Sequence, residues 1–158
     1  MRKQLSCLAL WLAAPIGVHA QIPEQPKTPE GYYALGEGMG RCAAFFTFMI
    51  QGSQKKNDQD ALANLAQRRG DWTLATEVFL SFGRAADAKA AGETIMAAEV
   101  NRLQARLDAN SNKEATLHEM IDDHHKQCDP LESWRYGAVR AVQESIRNGE
   151  VVQPSPKR

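Results

Sequence analysis

The sequence lacks the features that mark a nucleic-acid partner, a catalytic centre or a β-sheet. Its Lys and Arg residues number 19 and so do its Asp and Glu residues, and no basic stripe with interleaved aromatics occurs, which argues against nucleic acid as a partner. No Gly-x-Ser-x-Gly turn or paired carboxylates indicate catalysis, so enzymatic activity is left open and a non-enzyme is favoured. Strand-like alternation is also missing, which predicts an all-α fold.

The longest apolar run lies at the N-terminus. A basic start at Arg2 precedes an apolar segment over residues 5–16, and a small residue, Ala20, follows. This order is typical of a secretory signal peptide with its cleavage site. The run is shorter than the roughly 20 residues that a permanent membrane helix needs. We therefore expect residues 1–20 to be removed, leaving a periplasmic or secreted chain without an integral membrane segment.

Cleavage would also shift the net charge of the chain. Two of the 19 basic residues, Arg2 and Lys3, lie in the expected signal peptide, and none of the 19 acidic residues does. Removal of residues 1–20 therefore leaves a net charge of −2. A weakly acidic surface does not attract polyanions. A protein partner or a small ligand of the periplasm is therefore the expected partner.

Cysteine is scarce, with three residues in the chain. Cys7 lies in the expected signal peptide, so Cys42 and Cys128 remain. A lone pair in an oxidising compartment is typical of a structural disulfide, and the spacing fits no zinc motif. In the chain-entropy description a loop of this length is worth about 4–5 kcal/mol. Two buried free thiols are the alternative.

Prolines and apolar periodicity divide the rest of the chain. Residues 21–28 read as an extended leader, residues 29–148 as the helical domain and residues 149–158 as a flexible tail. Apolar residues recur at helical spacing in segments of roughly 29–51, 58–70, 71–82, 84–109, 112–127 and 130–147. Whether Gly83 separates two of these segments is open. The pattern predicts a single disulfide-closed helical bundle of five or six helices.

Capping residues mark several of the expected helix starts. Thr28 and Pro29 combine a capping hydroxyl with a proline at the first helical position. Ser111 with Glu114 forms a capping-box pattern, and Asp129 precedes a proline in the same way.

Four glycines fall within the first expected helix. Each costs up to about 1 kcal/mol against alanine in a helix. Either the start of this helix is irregular or a neighbouring helix packs very close to it. The residues are Gly31, Gly36, Gly38 and Gly40.

Residues 118–125 contain the only cluster of metal-ligand side chains. On a helix His118, Asp122 and His125 share one face, which could hold a divalent metal such as zinc, copper or nickel. The zincin motif is incomplete, because Asp122 stands where its second histidine belongs. A solvated polar flank gives the same pattern. His124 points toward the expected disulfide and is interpreted as a packed core histidine.

Aromatic side chains near Cys42 permit two interpretations. Tyr32 and Phe46 fall on the core-facing stripe of the first helix, whereas Tyr33 and Phe45 point elsewhere and could line a binding surface. Large apolar side chains are usually buried, so core packing is favoured and a binding surface formed by Tyr33 and Phe45 is the alternative.

The sequence Gly-Arg-Cys-Ala-Ala-Phe-Phe at residues 40–46, together with Gln-Cys-Asp at residues 127–129, resembles a loose group of small exported helical proteins of proteobacteria without an assigned activity. The resemblance implies a disulfide-closed helical domain. It transfers no catalytic residue to this chain.

These observations predict an exported, non-enzymatic helical protein with a binding or protein-interaction role. The alternative is a metal-binding protein that uses His118, Asp122 and His125. Apart from a divalent metal at that site, no cofactor is expected.

Overall fold

The computed structural model describes residues 25–53 and 58–150. The expected signal peptide and residues 151–158 of the tail lie outside this part. The described residues contain no strand, which confirms the all-α prediction for them, and none of their helices is both long and apolar enough to cross a membrane. The elements are α1 (Pro29–Ser53), α2 (Gln59–Phe82), α3 (Ala88–Ala109), α4 (Lys113–Cys128), a 3-10 turn (Asp129–Leu131) and α5 (Glu132–Arg147).

Helix α2 continues through the position where the sequence predicts a break between residues 70 and 71, so the six-segment division is wrong. A single glycine costs about 1 kcal/mol in a helix, and burial of Trp72 and Ala75 in the core with α1 outweighs this cost. The sequence also predicts that Asp71 caps the segment 71–82, and this prediction is wrong because Asp71 lies inside α2. Its Oδ2 accepts a hydrogen bond of 2.9 Å from Nη1 of Arg135 in α5.

Gly83 does separate two helices. Helix α2 ends at Phe82, and Arg84 has a positive φ of 60°, which the helical backbone cannot accommodate. Helix α3 then begins at Ala88 rather than at Arg84, because the carboxylate of Asp87 accepts the hydrogen bond from the backbone N–H of Ala90.

Two other helix starts can be compared with the capping residues that the sequence predicts. The hydroxyl of Thr28 accepts from the backbone N–H of Gly31 at 3.2 Å, as predicted. The capping box at Ser111 is wrong. Asn112 caps α4 instead, since its Oδ1 accepts from the N–H of Ala115 at 3.1 Å.

Helix α1 is regular, and its glycines are the points of closest approach to its neighbours. A Cβ atom at Gly36 would lie 2.9 Å from the side chain of Leu80 and 3.0 Å from its backbone nitrogen. At Gly40 it would lie 2.9 Å from Ile95 of α3. Of the two interpretations of these glycines, close packing by neighbouring helices is therefore the one that holds.

The core consists of two clusters of buried side chains that α1 joins. The first combines α1, α2 and residues around the start of α5, and the second combines α1, α3 and α4. Members of the first include Met39, Cys42, Phe46, Trp72, Phe79 and Cys128. Members of the second are Phe45, Phe48, Leu103 and Met120.

A disulfide links the middle of α1 to the end of α4. The sulfur atoms of Cys42 and Cys128 lie 2.04 Å apart, and both residues are almost completely buried. The 3-10 turn and α5 follow Cys128 directly. The bond therefore fixes the point of the core from which α5 starts.

The glycine contacts give a matched pair of stability predictions. Gly36→Ala places a methyl group against Leu80, including its backbone, and should lower the free energy of unfolding by about 1–3 kcal/mol. Gly70→Ala in α2 meets no atom within 4 Å and should raise it by about 0.5–1 kcal/mol. Urea unfolding of both variants measures the difference, and equal effects would contradict the close packing described here.

Candidate functional site

An open apolar groove, the α2/α5 groove, runs between the C-terminal part of α2 and helix α5. Its volume is about 1020 Å³, at the upper end of the range of ligand-binding sites. Glu150 is the one charged residue among those that line it. The apolar side chains of α2 in the groove are Val78, Phe79 and Phe82, and those of α5 include Trp134, Ala138, Ala141, Val142 and Ile146.

A partly buried arginine positions α5 beside α2. Arg135 donates from Nη1 to Asp71 of α2 at 2.9 Å and from Nε to Glu132 at 2.6 Å. Its guanidinium also lies over the ring of Trp72, 5.5 Å from the centroid. These contacts combine an ion pair with a cation–π interaction. They hold the first turn of α5 against the middle of α2.

Farther along, small residues leave the groove side of α5 uncovered. A Cβ atom at Gly137 would meet nothing within 4 Å, and Ala141 is exposed. At the far end Phe82 is 60% exposed and Ile146 68% exposed. Helical periodicity predicts that the apolar stripe of α5 is buried, and at Ile146 this prediction is wrong. Helix α5 packs mainly on α2, and α2 ends at Phe82.

Trp134 contributes both apolar surface and an unsatisfied donor to this region. Its ring meets Phe79 edge-on with centroids 6.0 Å apart. Its Nε1 is buried and finds no acceptor within the part of the chain that the structure describes. Buried N–H groups nearly always have an acceptor. The indole N–H of Trp134 is therefore an unusual unpaired donor in this wall of the groove, among the described residues.

The hydroxyls of two serines in the groove are bound to backbone oxygens. The hydroxyl of Ser81 donates to the backbone oxygen of Glu77 at 2.8 Å, and that of Ser145 donates to the oxygen of Glu150 at 2.9 Å. No histidine or cysteine is among the residues that line the groove. A serine nucleophile needs a base within reach, whereas the hydroxyls of Ser81 and Ser145 donate to backbone oxygens and not to a side-chain base.

A second, more polar cavity of about 740 Å³ lies between α1, α2 and α3. Its lining mixes Arg69, Glu77 and Glu93 with apolar residues such as Met96. The hydroxyl of Thr73 in this cavity donates to the backbone oxygen of Arg69 at 2.9 Å. It lies on the other side of α2 from Phe79 and does not join the α2/α5 groove.

His124 is a packed core histidine next to the disulfide, as the sequence indicates. Its ring stacks on Phe45 with centroids 4.1 Å apart and meets Phe46 edge-on at 5.1 Å. Its Nδ1 lies 3.3 Å from Sγ of Cys128, and because a disulfide sulfur carries no proton, Nδ1 is the donor. Burial, followed by the charges of His125 and Arg68, lowers the pKa of His124 from 6.5 to about 4.

The structure does not bring His118, Asp122 and His125 together as a ligand set. All three are exposed, and Nδ1 of His125 lies 3.3 Å from Oδ1 of Asp129. Within residues 25–53 and 58–150 no group of three histidine, cysteine or acidic side chains is placed to hold a metal ion. The predicted metal site gains no support from this geometry.

The neighbouring acidic residues of α4 form ion pairs with α3. Arg106 of α3 donates to Asp123 at 2.7 Å and to Glu119 at 3.3 Å. This hydrogen bond and charge lower the pKa of the Asp123 carboxyl. The polar flank of α4 therefore joins α4 to α3.

Tyr33 and Phe45 do not form a common binding surface. Phe45 is 7% exposed and packs in the second core cluster, so for Phe45 the core-packing interpretation is confirmed and the binding-surface alternative is wrong. It is buried because α3 and α4 cover that side of α1. Tyr33 is half-buried beside Gly83, whose Cβ position lies 2.7 Å from the Tyr33 nitrogen. The two residues line separate depressions.

Searches of protein families, curated proteins and solved structures find no match to this chain. The resemblance to exported proteobacterial proteins stays a prediction. The candidate site therefore rests on the geometry of the chain itself.

Sequence periodicity indicates the apolar stripe of α5 but not the groove beside it. The stripe includes Trp134, Ala138, Val142 and Ile146, all of which were expected to be buried. The signal that was available is the pair of small residues, Gly137 and Ala141, one turn apart beside that stripe. Only the position and length of α2 show that this side is open.

The environment of His124 gives a prediction for the pH dependence of stability. Because the folded protein disfavours the imidazolium, protonation of the unfolded chain should reduce stability as the pH falls from about 6.5 to about 4, with full stability above this window. Urea unfolding across this range should show a one-proton slope that is absent in His124→Phe. The control His118→Phe retains His124 and should retain the slope. The same slope in all three proteins would contradict the burial of His124.

Proposed function

We propose that this protein is exported to the periplasm or secreted and acts there as a non-enzymatic interaction module that binds an apolar helix of a protein in the α2/α5 groove. Export is supported by the order of residues in the expected signal peptide. The buried cysteine pair adds to this support, since disulfides persist in oxidising compartments.

The observation that carries the binding proposal is the open apolar groove itself. Monomeric proteins rarely leave a large contiguous apolar surface uncovered, and such surfaces mark interaction sites. Here the uncovered surface includes Phe82 and Ile146 at one end and reaches Trp134 at the other. An occupant would remove these side chains from water and gain the hydrophobic free energy of their burial.

The shape of the groove favours a helix over a compact ligand. It follows α5 from Ser133 to Ile146, a length of about 20 Å at the rise of an α-helix. Gly137 has no side chain and the exposed Ala141 has only a methyl group, so a second backbone can approach this part of α5 closely. Amphipathic helices bind in apolar grooves of this type through side chains one turn apart. The metal-binding alternative has no comparable observation in its favour.

A photo-crosslinker placed in the groove tests this function in cells. Benzoylphenylalanine in place of Ala141 lies in the groove, and in place of the exposed Ala63 at the start of α2 it lies far from it. Irradiation should give a protein adduct of discrete mass with the first variant and none with the second. The chain recovered from the periplasmic fraction or the medium should begin at Gln21.

Two results would contradict the proposal, and they bear on different parts of it. The absence of adducts at position 141, or equal adducts at both positions, would remove the groove as the interaction surface. A chain that stays in the cytoplasm with Met1 in place would remove the exported location.

A further inference from the structure

We propose that the cavity between α1, α2 and α3 binds an extended zwitterion, a short peptide with a free ammonium group and a free carboxylate. The cavity has a volume of about 740 Å³, which lies within the range of small-molecule sites. It shares no lining residue with the α2/α5 groove, so this inference is independent of the proposed function. It adds a second binding site and the chemical class of its ligand.

One wall of the cavity contains a glycine that the packing of the helices does not require. Gly70 lies inside α2, and a Cβ atom there would meet nothing within 4 Å. Gly36 and Gly40 differ from it, because a Cβ atom at either position would lie 2.9 Å from a neighbouring side chain. Glycine is a poor helix former, so Gly70 needs an explanation other than close packing. It lines the cavity, where a larger side chain would take up the space of a ligand.

Two contacts establish the register of α2 against α3, which run antiparallel along the cavity. Oγ1 of Thr73 lies 3.6 Å from Sδ of Met96. A Cβ atom at Gly92 would lie 3.2 Å from Cγ2 of Thr76. Residues near position 77 of α2 therefore lie opposite those near position 92 of α3, and residues near position 69 lie opposite those near position 100.

This register gives the two ends of the cavity opposite charges. Glu77 and Glu93 both line the cavity and fall in the same layer at one end. Arg69 lies at the other end, opposite Val100 and Asn101. The residues between the two ends are uncharged, and the apolar ones are Leu74, Met96 and Ala97.

The three charged side chains of the cavity, Arg69, Glu77 and Glu93, form no ion pair with another described residue. Two carboxylates in one layer disfavour each other's charge, and a cation between them removes this effect. An ammonium group has three donors and can bind both carboxylates. A carboxylate is the natural partner of a guanidinium. The cavity therefore has a separate place for each charged end of a zwitterion.

The separation of the charged ends selects the length of the ligand. Slightly more than two helical turns of α2 separate Arg69 from Glu77, a distance of about 12 Å. An extended peptide covers about 3.3–3.6 Å per residue, so a peptide of about three residues spans this distance. A single amino acid is too short to reach both ends. The apolar middle of the cavity suits an apolar central side chain.

Titration calorimetry of the purified protein with the peptide Ala-Leu-Ala tests the proposal. One peptide should bind to each chain. Acetylation of the peptide N-terminus and amidation of its C-terminus should each weaken binding at least about tenfold, because each removes one charged hydrogen-bonding group. The peptide that is blocked at both ends should bind most weakly.

Charge-neutral variants assign the two ends of the peptide. Arg69→Gln should weaken binding of the free peptide at least about tenfold and should no longer distinguish it from the amidated peptide. The double variant Glu77→Gln, Glu93→Gln should likewise no longer distinguish the free from the acetylated peptide. Glu114→Gln and Arg147→Gln are the matched controls, because both residues are exposed and neither lines the cavity. Both controls should bind the free peptide like the native protein.

A variant that fills the cavity separates loss of the site from loss of the fold. Gly70→Leu introduces a side chain at a cavity position where the Cβ atom meets no other atom, and should weaken binding at least about tenfold. It should not lower the midpoint of urea unfolding, because leucine is a better helix former than glycine. The control Gly137→Leu has the same open space around its Cβ position but lies in the α2/α5 groove. It should leave peptide binding unchanged.

Four results would overturn the inference. Absence of saturable binding would remove the site, and equal binding of the free and the doubly blocked peptide would show that no charged end is recognised. A loss on acetylation alone would make the ligand an organic cation instead of a zwitterion. Unchanged binding by Gly70→Leu would place the peptide elsewhere. Crosslinking at position 141 is unaffected by all four results, so the proposed function is tested separately.

Discussion

The bond between Cys42 and Cys128 is the constraint on which the position of α5 depends. It joins residues 86 positions apart in the sequence, and a link across such a long loop stabilises the fold by about 4–5 kcal/mol in the chain-entropy description. Since the 3-10 turn and α5 follow Cys128 without a linker, the bond also determines where α5 meets α2. The groove exists because this starting point is fixed and because α2 is long enough to form its other wall.

Helices α1 and α2 form the platform for this arrangement. Their contact is the most extensive in the described structure, and it depends on Gly36 and Gly83, where each backbone lies against the other helix or its end. Helix α5 has no equivalent support. It is held by the disulfide at Cys128, by Arg135 with Asp71, and by a narrow apolar contact with α2. Its remaining apolar surface stays open to a partner.

Local chemistry explains which parts of the fold could be predicted. Capping residues predict the start of α1 at Pro29 and the end of α5 near Asn148. Helical periodicity predicts the packing of His124 against the core. The continuity of α2 through Gly70 could not be predicted in the same way, because the packing of Trp72 against α1 decides it. Ser111 and Asn112 are both good capping residues, and the sequence does not show which of them takes that position.

The candidate site was harder to predict than the fold. Periodicity indicates that Ile146 is apolar and belongs to the stripe of α5, but burial depends on where α2 ends. Phe45 is the opposite case, since it points away from the main stripe and is nevertheless buried by α3 and α4. Both errors concern contacts between distant segments. The expected location outside the cytosol comes from residues beyond the described part and stays a prediction.

Hydrogen exchange measured by mass spectrometry on the Cys42→Ser, Cys128→Ser variant tests most directly whether the position of α5 depends on the disulfide. If the disulfide positions α5, the amides of residues 132–147 should lose protection relative to the native protein, while those of α1 and α2 keep most of theirs. Unchanged exchange in α5, with or without a change elsewhere, would contradict the account.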